Sequence, residues 1–209
     1  MPANEVPDAL FPTDNEWDIP TLFLPLQADF VDLPVRGWGS IKRKTMMRGT
    51  WHFYTDDYKF AAIWKKPDEV RNTSAVSVIE VNFTTEDQMP MAVGLYRTMQ
   101  KRWLARYWQS QGLRVFVDLN VAKKFDEINM LGVPAGWKSY ATSGADYALD
   151  RLDDQYTIAT RKAGGVPAIF LVYGGGVKMA KHCAERGWVF VPDARNAARA
   201  NVDTEATNA

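Results

Sequence analysis

The feature that most constrains this fold is a recurring alternation. A short, unbroken apolar run is followed by a polar or glycine-rich turn, and then by a stretch with helical spacing. Ile169-Phe-Leu-Val-Tyr173 is the plainest such run. A strand wetted on one face alternates apolar and polar residues, whereas a continuously apolar strand is covered on both faces, as in parallel sheets. Strands are expected over Thr21–Leu26, Trp51–Thr55, Val76–Phe83, Arg114–Leu119, Lys138–Thr142, Ala168–Tyr173 and Trp188–Val191. Helices are expected over Tyr58–Val70, Pro90–Gln111, Ala145–Ala163 and Val177–Arg186. Repeated strand–helix units imply an α/β class with right-handed crossovers and a largely parallel sheet of about six or seven strands. An open sheet and a partial or closed β/α barrel both satisfy the pattern. The barrel-like arrangement is preferred because nearly every strand has its own helix.

Pro90–Gln111 carries the clearest helical pattern. Asp87 is a candidate cap, Pro90 suits the first turn, and Gly112 ends the helix. Ala92, Val93, Tyr96, Met99, Trp103, Leu104 and Tyr107 fall on one arc. Arg97, Lys101, Arg102 and Arg106 flank that arc and read as long side chains reaching to water.

With 209 residues, 46% of them apolar, the chain suits one packed domain. Residues 1–20, rich in Pro, Asp and Asn, read as an extended acidic arm. Residues 21–195 read as a single α/β domain, and 196–209 as a disordered tail with little to bury. The single cysteine, Cys183, excludes a disulfide framework within the chain and a cysteine zinc site. No apolar run approaches the ~20 residues that span a bilayer, and the first residues lack a signal-peptide pattern. The expected compartment is the cytoplasm, with no membrane partner.

Formal net charge is zero, so no global field draws in nucleic acid. Charge is nevertheless uneven. Residues 1–35 carry only acids, while bases dominate 36–71. Within the basic stretch, Trp38, Lys42, Arg43, Lys44 and Arg48 lie in a glycine-flexible loop and form the candidate nucleic-acid contact. Its cations would meet phosphates and its indole would stack on a base. The plainer reading is a basic surface loop.

In parallel α/β folds, ligands bind at the carboxyl ends of the strands. The residues at those ends are Asp56 and Asp57; Asn82 and Thr84; Asp118 and Asn120; Thr142, Ser143 and Gly144; and Tyr173, Gly174, Gly175 and Gly176. Three glycines before a helix leave backbone N–H groups open to an anion. The loop lacks a Walker A lysine and a full dinucleotide fingerprint, and a tight turn is the plainer alternative. Asp56, Asp57 and Asp118 are candidates to hold a divalent metal or to supply a general base, although Asp57 also suits a helix cap. His52, inside a strand, and His182, beside Cys183 on a helix, do not suggest histidine catalysis.

Several short blocks recur in a fixed order. They are Gly37-Trp-Gly39, His52-Phe-Tyr-Thr-Asp-Asp-Tyr58, Trp64 with Pro67, Asn82-Phe-Thr84, Met89-Pro90, Tyr96-Arg97 and Tyr107-Trp-Gln109 with Gly112. Gly132-Val-Pro134, Thr142-Ser-Gly144 and Leu171-Val-Tyr-Gly-Gly175 follow. From Gly37 to about Gly176 the chain resembles the domain of unknown function 4417 family of bacteriophages and other mobile elements. That family usually reads Pro-Asp-Phe-Ser where this chain has Val81-Asn-Phe-Thr84, so one carboxylate is absent here. The resemblance implies a phage or mobile-element protein acting in a bacterial host, and no particular activity. Three functions stay open. The first is binding of a phosphate-bearing ligand, nucleic acid or nucleotide, at the strand ends. The second is a non-catalytic protein that redirects a host partner. The third is a metal-assisted phosphodiester or phosphate hydrolase.

Overall fold

The structure, a computed structural model, describes residues 9–39, 48–193 and 196. Seven strands run parallel in strict sequence order: β1 (Val35–Gly37), β2 (Thr50–His52), β3 (Ser77–Ile79), β4 (Arg114–Asp118), β5 (Ser139–Ser143), β6 (Ile169–Tyr173) and β7 (Val189–Val191). The sheet curls into a nearly closed barrel. One contact shows how far. Strands β2 and β6 stand four neighbours apart, about 19 Å along a flat sheet. Yet the rings of His52 and Tyr173 at their ends lie 3.8 Å apart between centroids.

The helices are α1 (Asp68–Arg71), α2 (Met91–Ser110), α3 (Asp126–Asn129), α4 (Leu149–Ala163) and α5 (Val177–Arg186). They cover the outer face of the strands. There Val78, Val115, Val117, Tyr140, Phe170 and Val172 join Leu104, Trp108, Leu152, Ala159, Met179 and Cys183 in the main core. The inner face supplies a second, smaller core of Ala28, Ile79, Phe116, Ala141, Ile169 and Leu171. Both faces are therefore apolar, which is what the unbroken apolar runs require.

The region before β3 departs from expectation. Residues Thr21–Leu26 form no strand; Leu24–Leu26 is a 3-10 turn, with Pro25 fixing its backbone. The first strand is instead Val35–Gly37, too short to stand out by pattern. Between Tyr58 and Val70 the expected helix breaks into a 3-10 turn at Asp57–Lys59, further turns, and the four residues of α1. Pro67 lies just before that last piece and removes a helical N–H. Helix α2 runs as expected, but Pro90 sits at its N-cap and Asp87 makes no cap bond there.

The stretch after the 3-10 turn closes the bottom of the barrel. The Ala28 N–H donates to the Val115 carbonyl (2.9 Å), and the Lys138 N–H donates to Gln27 Oε1 (2.7 Å). Residues 27–28 thus wedge between the lower ends of β4 and β5. The chain then crosses beneath the interior. Ser139 Oγ donates to the Ala28 carbonyl, and Arg114 pairs with Asp29. Thr50 Oγ1 donates to the Asp32 carbonyl (2.8 Å), and Ser77 Oγ donates to Asp32 Oδ2 (3.3 Å).

The described part of the acidic arm lies along α2. The indole N–H of Trp103 donates to the Ala9 carbonyl (2.8 Å), and the Arg106 guanidinium sits over the Phe11 ring.

Candidate functional site at the barrel mouth

The strand ends opposite the floor carry the polar residues. Along β2, Thr50, His52 and Tyr54 alternate with Trp51 and Phe53. The period of two sends the first set inward and the second into the outer core. Asp118, at the end of β4, is the hub. Its Oδ1 accepts from the Tyr54 hydroxyl (3.0 Å) and from the Asn120 N–H (3.0 Å). Its Oδ2 accepts from Asn82 Nδ2 (3.1 Å) and Lys101 Nζ (3.1 Å). Its own N–H donates to Glu80 Oε2 (3.1 Å), and Glu80 pairs with Arg102. Glu80, Lys101, Arg102 and Asp118 are all buried, two acids against two bases. Burial pushes the Glu80 carboxyl above its usual range, against the pull of Arg102 and Lys101. Burial, then the Asp118 charge, pushes the Tyr54 phenol well above its ordinary value, so it stays a donor.

Lys101 and Arg102 overturn the expectation that they reach to water. Both turn from α2 toward the sheet, and their carboxylate partners make that burial tolerable. Nothing in the helical spacing signals this, because the partners lie on β3 and β4.

His52 is the second unexpected member. It is 1% exposed, and its ring sits beside those of Tyr173 (3.8 Å between centroids) and Tyr54 (5.5 Å). Nδ1 accepts the Tyr54 N–H (3.2 Å), which leaves the ring's proton on Nε2. That Nε2 is buried and, among the described residues, has no hydrogen-bond partner; the same is true of Thr55 Oγ1. Burial lowers the imidazole's pKa to about 3, so it is neutral near pH 7. Gly37 faces this pair. A Cβ there would stand 3.1 Å from Thr55 Cγ2 and 3.3 Å from His52 Nε2.

The residues expected at the strand ends sort into three groups. Asn82, Asp118, Asn120, Ser143, Gly144, Tyr173 and Gly174–Gly176 do lie at the carboxyl ends of β3 to β6. Thr142, by contrast, is sealed on the outer side, its hydroxyl donating to Gln155 Oε1 (2.8 Å). Asp56 is exposed and pairs with Lys59 (3.0 Å), while Asp57 accepts from the Thr84 hydroxyl (2.9 Å) and amide. The metal set Asp56, Asp57 and Asp118 is therefore not assembled. Among the described residues, no three His, Cys, Asp or Glu side chains gather as a metal would require.

The glycine turn after β6 has the expected backbone but already holds an anion of the chain's own. Gly174 and Gly175 adopt φ of +83° and +92°, which a side chain would strain. The N–H groups of Gly176 (2.7 Å) and Met179 (3.1 Å) donate to Asp146 Oδ1.

The basic-loop expectation changes in part. Trp38 is buried, edge-on to Trp51 at 5.1 Å, so its indole is core and not a stacking surface. Arg48 is exposed, and Lys42, Arg43 and Lys44 lie outside the described residues. His182 pairs with Asp153 (3.0 Å), and burial holds the Cys183 thiol up at about 11, so the two form no reactive dyad. Among the described residues, no helix is long and apolar enough to cross a membrane.

Two curated relatives place the chain in a phage context. It is 27% identical over 110 residues to the Gene 1 protein of Mycobacterium phage D29, covering 50% of this chain and 40% of that one. It is 28% identical over 110 residues to the Gene 1 protein of Mycobacterium phage L5, covering 50% and 47% respectively. The matched region thus spans less than half the length of each relative. No solved structure matches significantly. The family model described as Domain of unknown function (DUF4417) matches residues 11–153. That match starts earlier than the Gly37–Gly176 resemblance and takes in the floor segment. It stops before β6, so the Leu171–Gly175 block lies outside it. With roughly two-thirds of its length matched by that model, this phage-related chain belongs to the DUF4417 family.

Proposed function

We propose that the chain binds a phosphate-bearing ligand, a nucleotide or a nucleic-acid end, at the mouth of the barrel. The observation that carries this reading is the pairing of a sealed floor with a polar, aromatic rim. Gln27–Asp32 is hydrogen-bonded across the strand starts, while Tyr54, Asn82, Asp118, Asn120 and Tyr173 gather at the strand ends. Tyr173 is half-buried, with one side of its ring against His52. A partly exposed ring at the rim of the barrel suits base stacking. The turn that follows it presents the Gly176 and Met179 amides, which already hold a carboxylate, and a ligand phosphate would replace that group.

The test is titration of the full chain, at low salt, with nucleoside monophosphates, single- and double-stranded DNA, and RNA. Saturable binding is expected, weakened about tenfold or more by Tyr173→Ala. Asp146→Asn, which removes the competing charge, tightens it. Failure of every one of these probes to bind removes the proposal.

One observation favours a second reading, docking of a host protein. A groove of about 560 Å³ between the arm and α2 is lined by Leu10, Phe11, Trp17, Tyr96, Met99 and Trp103. Leu10 is 90% exposed there. This reading ranks second because nothing at the groove specifies what would fill it. Hydrolysis ranks third, since Asp118 is fully committed to hydrogen bonds and the expected metal carboxylates stand apart.

A further inference from the structure

We infer that the ligand enters ring-first, with a neutral acceptor atom of its base read by His52 Nε2–H and Thr55 Oγ1–H while the phosphate stays at the rim. This rests on the nucleotide reading above and assigns the ligand's orientation and the atoms that recognise it.

Four observations support it. First, a buried donor without a partner is uncommon in folded proteins, and among the described residues His52 Nε2–H and Thr55 Oγ1–H both lack one. Water or a ligand atom normally pairs such groups. Second, the tautomer is fixed by the chain. With Nδ1 accepting the Tyr54 N–H, the neutral ring has only a donor left to offer. The matching ligand atom is therefore an acceptor, a carbonyl oxygen or an aromatic ring nitrogen.

Third, the surroundings select against charge. His52 is neutral, and the buried cations Lys101 and Arg102 are each paired with a carboxylate. A phosphate at this depth would meet Asp118 and Glu80 with no uncommitted buried cation to offset them among the described residues. A base edge carries acceptors without charge. Fourth, the His52 donor belongs to an aromatic cluster. His52 packs on Tyr173 at 3.8 Å and on Tyr54 at 5.5 Å, so a planar group at Nε2 would find aromatic surface beside it.

Gly37 belongs to this arrangement. It pairs in register with His52, and any side chain there would press on both donor-bearing residues.

The experiment uses the full chain labelled with ¹⁵N and follows the His52 ring nitrogens by long-range ¹H–¹⁵N correlation. The probes are the adenosine, guanosine, cytidine and uridine monophosphates, with ribose 5-phosphate as the baseless control. At least one nucleoside monophosphate is expected to move the Nε2 resonance, with little change at Nδ1, and ribose 5-phosphate is expected to leave both in place. Thr55→Val, which preserves shape and removes only the hydroxyl, is expected to weaken that nucleotide about tenfold. It should leave ribose 5-phosphate unaffected. Nucleotide binding that is lost in Tyr173→Ala, yet leaves Nε2 unmoved and is indifferent to Thr55→Val, overturns ring-first entry while the binding reading stands. Absence of binding by every nucleoside monophosphate overturns ring-first entry, and absence of binding by DNA and RNA as well overturns both.

Discussion

At the floor of the barrel, Thr50, Ser77, Ser139 and Arg114 each direct a side-chain donor to the crossing segment Ala28–Asp32. At the mouth, His52 at the end of β2 and Thr55 just beyond it hold buried polar atoms that have no hydrogen-bond partner among the described residues. Among the described residues, these floor side chains have partners, whereas the two atoms at the mouth have none. The mouth also concentrates the buried charges, Glu80, Asp118, Lys101 and Arg102. A segment hydrogen-bonded across the strand starts is a structural closure. An end that tolerates unpaired donors and desolvated charge gives up stability for something else, and binding is the usual reason.

That contrast can be broken or sharpened by substitution. The largest effect is expected for Arg102→Met, which leaves the Glu80 carboxylate buried and uncompensated. Chemical denaturation should show a loss of about 3–5 kcal/mol, much of it recovered when Glu80→Gln is added. Next comes acid. His52 has a folded pKa of about 3 against 6.5 for the free group, so below about pH 6.5 the unfolded chain takes up a proton that the folded chain refuses. Stability should therefore fall as pH drops from 6.5 toward 3, by a few kcal/mol in all. His52→Phe should flatten that part of the profile.

Asn82→Asp adds a carboxylate beside Asp118. Here it replaces an amide that donates to Asp118 Oδ2 with a like charge, so a loss of about 1–3 kcal/mol at neutral pH is expected, shrinking in acid. At the floor, Ser139→Ala removes one donor to the Ala28 carbonyl; it should cost about 1 kcal/mol and leave ligand binding unchanged. The smallest effect is expected for Thr55→Val. Its hydroxyl has no hydrogen-bond partner among the described residues, so stability should change by less than about 0.5 kcal/mol. A loss as large as that of Ser139→Ala would erase the distinction between the two ends.

Much of the barrel was legible from the sequence. The apolar run at Ile169–Tyr173 and the helices near Pro90 and Val177 announce themselves by period alone, and the Asn, Asp and Gly residues expected at strand ends do stand there. What failed did so for physical reasons. Three-residue strands such as β1 are too short to show a period, while Thr21–Leu26 is apolar because it packs on the core, not because it pairs in the sheet. Lys101 and Arg102 look like surface cations until the fold brings Asp118 and Glu80 to them. His52 was visible in the alternation Thr50, His52, Tyr54 against Trp51, Phe53. Its unpaired nitrogen was not, because a missing partner is a fact of three dimensions.

The most direct test is a crystal structure of the chain soaked with whichever nucleoside monophosphate moves His52 most. Base density within hydrogen-bonding distance of His52 Nε2 and beside Tyr173, with the phosphate outside near Gly176, is the expected result. Nucleotide density confined to the groove between the arm and α2, with the mouth unchanged, would contradict the account.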